Sequence, residues 1–283
     1  MTTDDSLAAP DRASGMRARL GRTVLELASL MPPVRPPGGI PVLCYHRIYD
    51  GIEPPPRDRF AVTVNELEAH LAAVQESDRT VVPLTDLEKG APGSVLLTFD
   101  DNLSSHIVFA LPILRAVGIT ATFYLSPADL GAAGRLSQHD VQALLRAGMF
   151  VGAHGNHHIP AVRISPAVFG REVKACRAFL QGLGMPLTWA YPGGYIGSFR
   201  DYHEQILLDH GFTVRFTTLE GVCRPSPLRV QSRYVVRQHS SARYVRAALR
   251  GGLQLVSFAK RIRGLARQWR QDPYELPSPR YSR

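Results

Sequence analysis

The sequence is short of the features that would place it in several large classes. It has 3 cysteines, Cys44, Cys176 and Cys223, widely spaced and with no CxxC pair. An odd, scattered set argues against a disulfide framework, so the thiols are expected to be buried and inert. No stretch reaches the ~20 apolar residues needed to span a bilayer. The main body also lacks net charge. The chain carries +9 overall, but from Arg237 onward there are 11 Lys/Arg against 2 Asp/Glu, which is the whole of the excess. Charge therefore gives no reason to expect a polyanion ligand for residues 1–236, and no nucleic-acid reading motif is present. Near the N-terminus, Arg17, Arg19 and Arg22 precede the apolar run Thr23–Met31. Glu26 interrupts that run, and Pro32-Pro33 stands where a small-residue cleavage site would be. A short helix or a leader is expected there rather than an export signal, and with it a cytoplasmic or membrane-associated protein.

What is present fits a folded α/β protein. Apolar residues make up 45% and charged residues 20% of 283, the balance of a globular chain with a sizeable core. Residues 1–40 are polar and then Pro/Gly-rich, and read as leader and linker. From Pro41, short β-prone runs alternate with helical patterns. Pro41–Tyr45, Thr80–Val82, Val95–Asp101, Ile119–Leu125, Met149–Ala153, Leu187–Tyr191, Thr213–Thr217 and Tyr234–Val236 read as strands. Helices open at recognisable caps: Thr63 with Glu66, Ser104 or Ser105, Ser137, and Ser165 followed by Pro166. Glycine closes several of them at Gly118, Gly148 and Gly211. Such alternation predicts parallel βαβ units. Seven or eight of them suggest an irregular (β/α)7-8 barrel over residues 41–240, with a doubly wound open sheet as the runner-up.

In such barrels the site lies at the C-terminal strand ends, and chemistry-bearing residues gather there. Strand one ends in His46, the third in Asp100-Asp101, the fifth in His154 with His157-His158 just beyond, and the sixth in Pro192-Gly193-Gly194. Each has a plain alternative. An Asp pair after a strand is often turn chemistry, a lone His is more often a hydrogen-bonded core residue, and Pro-Gly-Gly is usually only a turn. Together they differ: two imidazoles and one carboxylate form a metal-binding face with open positions for water and substrate. Either His157 or His158 could serve as the second imidazole.

In chain order, Pro41–Ile48 (PVLCYHRI), Leu97–Asp101 (LTFDD), Gly152–Pro160 (GAHGNHHIP) and Ala190–Gly194 (AYPGG) resemble the motifs of the polysaccharide deacetylase family (NodB homology, carbohydrate esterase family 4). The early Tyr45-His46 pair resembles its poly-N-acetylglucosamine deacetylase branch. The resemblance covers residues 40–237 and implies a distorted (β/α) barrel, a divalent metal, most often Zn2+, and an N-acetylated carbohydrate as substrate. It implies Asp101, His154 and His158 as metal ligands, Asp100 as general base, Gly193 as the backbone donor to the oxyanion, and His46 as general acid. The chain departs from the pattern at four places. Gly155 replaces the usual Ser or Thr, Asn102 a common Gly, Gly193 a common aromatic, and Ala190 an arginine that orients the base; Arg233 could orient it instead. Two rival functions stay open: deacetylation of a small biosynthetic amide, and a non-catalytic glycan-binding protein that kept the fold. Residues 241–283 read as a basic helical tail. Leu255, Phe258, Ile262, Leu265 and Trp269 repeat at helical spacing, with Lys260, Arg261, Arg263, Arg267 and Arg270 mostly off that face. The plainer reading is a helix packed on the barrel with a solvated basic face; the alternative is peripheral contact with an anionic membrane.

Overall fold

The computed structural model describes residues 39–52, 58–89, 93–224, 226 and 230–253. The leader expected over 1–40 falls almost wholly outside the described residues, and so does the amphipathic face expected from Leu255 to Trp269. Among the described residues, no helix is long and apolar enough to cross a membrane.

The strands follow the expected runs. They are β1 Val42–Tyr45, β4 Thr80–Val81, β5 Ser94–Asp100, β6 Thr122–Leu125, β7 Phe150–Ala153, β8 Thr188–Ala190, β9 Val214–Phe216 and β10 Tyr234–Val235. Two short strands, β2 Ile48–Tyr49 and β3 Val62–Thr63, pair with each other and were not visible as separate runs. The main sheet has the order β10-β1-β5-β6-β7-β8-β9, with β4 beside the start of β5, and every pairing is parallel. A parallel bridge from Phe216 to Gln231 joins β9 to the segment leading into β10. The sheet thus curls round on itself as a distorted (β/α) barrel.

The helices are α1 Val64–Gln75, α2 Leu111–Ala116, α3 Gln138–Arg146, α4 Pro166–Gly182, α5 Asp201–Asp209 and α6 Ala242–Leu249. Capping boxes form at Thr63 with Glu66 and at Ser137 with Asp140, so orphan donors of the first turn are satisfied by neighbouring side chains. The helix expected from Ser104 or Ser105 begins as a π-helical turn, His106–Ala110, before continuing as α2. α6 packs beside α1: Arg79 Nε donates to Leu249 O at 2.6 Å, and Arg246 pairs with Glu76 at 2.9 Å.

Strand alternation sorts the core into two parts. Leu97 and Phe99 of β5 and Phe123 of β6 belong to the larger cluster under the helices, with Tyr45 stacked on Phe99 at 5.1 Å. Leu96, Tyr124, Ala190 and Phe216 form a smaller inner cluster. On β5, residues 96, 98 and 100 therefore share the inner face, which is why a strand of seven buried residues ends with a carboxylate pointing into the barrel. The register places the strand ends side by side, with Asp100 opposite Tyr124 and Leu125 opposite Ala153.

Gly152 is required by this packing. A Cβ there would lie 2.7 Å from Thr188 Oγ1 and closer still to the Tyr124 ring. Gly152→Ala is expected to lower stability by about 1–3 kcal/mol through overpacking, read as a shifted urea midpoint with an unchanged slope. A neutral result would show that Tyr124 can move aside.

Candidate metal centre and catalytic site

Asp100 is fully buried and is gripped by Arg233, itself fully buried, which precedes β10, two strands from β5 in the sheet. Nη1 of Arg233 donates to Oδ1 at 2.8 Å and Nη2 to Oδ2 at 2.7 Å. The guanidinium also bonds Thr217 O through Nε and Thr98 Oγ1 through Nη1, and it lies 5.7 Å from the rings of Tyr124 and Phe216. Burial alone would push the Asp100 carboxyl up. Arg233 and the nearby imidazoles outweigh it and hold the group down at about 2. Cys44 Sγ contacts Asp100 Oδ2 at 3.5 Å. The thiol is buried, as the sequence suggested, but it sits on the Asp100 carboxylate rather than in inert packing.

Asp101 turns the other way. Its φ of +82° and the +52° of Asn102 put both in the left-handed region, which non-glycine residues occupy at a cost repaid by surrounding contacts. The result brings Asp101 Oδ1 to 3.0 Å from His158 Nε2 and 3.3 Å from His154 Nε2. Burial opposes its ionisation, yet the two imidazoles hold its carboxyl well below the usual carboxylate range. Asn102 is of a residue type that visits the left-handed region routinely. Its Oδ1 accepts from Ser126 N and its Nδ2 donates to Ser126 O, both at 2.7 Å. Ser126 Oγ in turn donates to His154 O at 2.8 Å. One polar chain thus joins the ends of β5, β6 and β7.

His154 is buried, and its Nδ1 lies 2.7 Å from Ala190 O. That carbonyl accepts only, so the hydrogen is on Nδ1 and the Nε2 lone pair faces Asp101. Burial disfavours charge on His154, but Asp100 and Asp101 outweigh it and raise its pKa. The field that favours a proton at Nε2 equally favours a metal cation there. His158 takes a φ of +54° to reach the same point, with its ring centroid 4.9 Å from that of His154. His157 does not reach it: Nδ1 lies 2.6 Å from Glu172 Oε1 and the side chain is 57% exposed. Gly155, at φ +72°, takes a backbone that a side chain would resist, and a Cβ there would also press on Pro192 Cγ at 3.2 Å. The Pro192-Gly193-Gly194 turn therefore lies against the histidine loop. Thr218 Oγ1 donates to Gly193 O at 2.7 Å, and a Cβ on Gly194 would come 2.6 Å from Thr218 N.

His46 follows β1 and is almost buried, its ring stacked on Phe60 at 4.7 Å. Its Nδ1 is buried without a hydrogen-bond partner among the described residues. A ring nitrogen of His46, the Cys44 thiol and a carboxylate oxygen of Asp100 lie within 4.8 Å of one another. Burial lowers the His46 pKa, opposed by Asp101 and Asp100. Asp101, His154 and His158 likewise offer one ligand atom each within 4.8 Å. Two imidazole nitrogens and one carboxylate oxygen, one imidazole oriented through its far nitrogen, fit a divalent metal of the zinc type.

The family model described as polysaccharide deacetylase matches residues 88–214, the stretch that carries Asp100, Asp101, His154, His158 and Gly193. Over that stretch the chain resembles a polysaccharide deacetylase domain. A curated relative, the putative polysaccharide deacetylase YxkH of Bacillus subtilis (strain 168), is 26% identical over 137 residues. That match covers 46% of this chain and 47% of YxkH, about half of each. Among solved structures, IcaB from Ammonifex degensii is 25% identical with a TM-score of 0.64, covering 75% of this chain and 97% of that one. The Streptococcus pyogenes deacetylase PplD, solved with acetate, shares the fold with a TM-score of 0.68 at 22% identity, over 77% and 99% of the two chains. Sequence reasoning named Asp100, Asp101, His154 and His158, which the fold brings together, and offered Arg233 as one candidate to orient Asp100. It missed the roles of Cys44, Asn102, Ser126 and Glu172. Only Cys44 carried a signal, lying two residues before His46 on one strand run.

Replacing Arg233 tests the buried pair. Arg233→Met is expected to cost about 3–5 kcal/mol at neutral pH, because it strands a buried carboxylate. The sign with pH follows from linkage. In the intact protein Asp100 titrates at about 2 instead of 3.8. Its stabilisation is thus complete above the unfolded value and lost as pH falls through about 2. In the variant the Asp100 pKa rises, so the deficit is largest near neutrality and shrinks on acidification. Urea unfolding of both proteins at several pH values reads this; a deficit independent of pH would show that the loss is packing alone.

Proposed function

We propose that the protein is a metal-dependent N-deacetylase that hydrolyses the acetamide of an N-acetylated sugar to a free amine and acetate. The observation that carries this is the convergence of Asp101, His154 and His158 on one point beside Asp100, which is held by Arg233. Zinc is the proposed ion, held by Asp101 Oδ1 and the Nε2 atoms of His154 and His158. When bound, such an ion supplies a Lewis acid that polarises the acetamide carbonyl and acidifies water. The chain's own residues do the rest. Asp100, ionised across the neutral range, takes the proton of the attacking water. The backbone N–H of Gly193 donates to the oxygen on which negative charge develops. An amide nitrogen leaves only once protonated, and His46 in its imidazolium form delivers that proton. Carbon–oxygen bond formation and carbon–nitrogen cleavage then leave the amine and acetic acid, which gives its proton to solvent as acetate. The proton held by Asp100 returns to His46 to complete the cycle.

Two observations favour this over the non-catalytic alternative. Ala190 and Gly155 are the departures from the family pattern that bear most directly on catalysis. Arg233 meets the task of an arginine at position 190, and Gly155 occupies a left-handed turn next to Pro192. The small-amide alternative keeps the same chemistry and differs only in what lies beyond the acetamide, so parallel assays on oligosaccharide and monomeric substrates separate the two.

Metal-loaded protein is expected to release acetate from N-acetylglucosamine oligomers. Asp100→Asn should lower the rate by about 10²–10⁴-fold while metal content stays at the wild-type level. His154→Ala and His158→Ala should lose the metal itself. His46→Ala should cut turnover with metal retained. Acetate release by coupled assay and metal content by elemental analysis are the measurements. A folded, metal-loaded protein inert towards a wide N-acyl panel would falsify the proposal.

A further inference from the structure

Glu172 sits on α4 and is only 7% exposed, on a helix face otherwise formed by Phe169, Val173, Cys176 and Leu180. A carboxylate buried in such company is destabilising unless its oxygens are satisfied. Both are satisfied by the loop that carries the histidines. Oε2 accepts from the backbone N–H groups of Asn156 and His157, each at 2.9 Å, and Oε1 lies 2.6 Å from His157 Nδ1. Two successive amides on one oxygen fix the two peptide planes from Gly155 to His157, inside the loop bounded by Gly155 and His158. Those end residues are the ones in left-handed backbone, at φ +72° and +54°. The same carboxylate directs the His157 ring outward, while His158, one residue on, meets Asp101.

We infer that Glu172 is a positioning residue for the metal centre. It holds the loop Gly155–His158 in its ligating shape before metal arrives, and it decides which of two adjacent histidines becomes the ligand. The inference rests on the reading of Asp101, His154 and His158 as the metal site. The physical reason is preorganisation. Left to itself, the loop would relax from two left-handed residues, and His157 and His158 would compete for the position facing Asp101. Residues that orient metal ligands from behind typically contribute 10–100-fold in affinity.

The test is zinc affinity by chelator competition on the full chain, with thermal melts of the metal-free forms recorded alongside. Glu172→Leu removes the acceptors at similar volume, and Glu172→Asp withdraws them by one methylene. Each is expected to weaken zinc binding about 10–100-fold. Glu172→Gln keeps an oxygen able to accept both N–H groups and is expected to stay within a few-fold of wild type. His157→Ala leaves both amides bonded to Glu172 and should also stay near wild type, whereas His158→Ala should lose most affinity. Wild-type affinity in folded Glu172→Leu or, where that variant fails to fold, in Glu172→Asp overturns this inference alone. A wild-type protein with no zinc affinity overturns the metal site and this inference with it.

Discussion

The buried pair of Asp100 and Arg233 is the constraint on which the rest of the site depends. A carboxylate on the inner face of a seven-residue buried strand is tolerable only with a partner that neutralises it and satisfies both oxygens. Arg233 does both with its fork, and its remaining donors bond Thr217 and Thr98. Because Arg233 directly precedes β10, the pair ties the final strand to β5 across β1. The charge state of Asp100 thus rests on this contact. The pair also limits what Asp100 can do. With both oxygens engaged by a guanidinium, it is poorly placed to join a cation, and its proton affinity is set by Arg233.

A second set of bonds converts neighbouring strand ends into a fixed array. Asn102 pairs with the backbone of Ser126, Ser126 with His154 O, and His154 Nδ1 with Ala190 O. These steps run from β5 through β6 and β7 to β8 without leaving the rim of the barrel. Left-handed residues cluster on the same rim at Asp101, Asn102, Gly155, His158, Gly193 and Gly194. Local strain of this kind persists where surrounding structure over-determines it. Here the over-determination is the bonding just described together with the Glu172 clamp.

The fold was legible because its signals are local and repeated. Alternating apolar runs, capping boxes and glycine stops each act over a few residues, and the structure follows them to within a residue or two at most elements. The π-helical turn at His106 and the short β2–β3 pair escaped because neither has a periodicity of its own. The Asp pair and the His pair were legible for a similar reason: each ends a recognisable strand. Arg233 was harder to identify, one of 33 basic residues in the sequence and 133 positions from its partner. Glu172 was illegible, because within α4 it reads as a polar residue in an ordinary amphipathic helix. Its task is set by a loop 15 residues earlier. The choice between His157 and His158 was open for the same reason, since it depends on a side chain outside the motif.

Adjacent carboxylates with different fates need opposite environments, and the strand end supplies them. Asp100 is the last residue of β5, so alternation sends it inward to Arg233. Asp101 is the first residue beyond, and its left-handed φ carries it to the imidazoles. Had both followed the strand, one would have faced the apolar layer under the helices, where no cation could reach it. The departures at Ala190 and Gly155 fit this logic. What the site requires is a positive charge on the Asp100 carboxylate and a rigid loop under the second imidazole, and neither demand specifies which residue must meet it. Arg233 meets the first from the segment before β10, and Glu172 meets the second from a helix. Such reassignment preserves geometry while erasing the motif, so a motif-level gap in this fold is weak grounds for inferring lost chemistry.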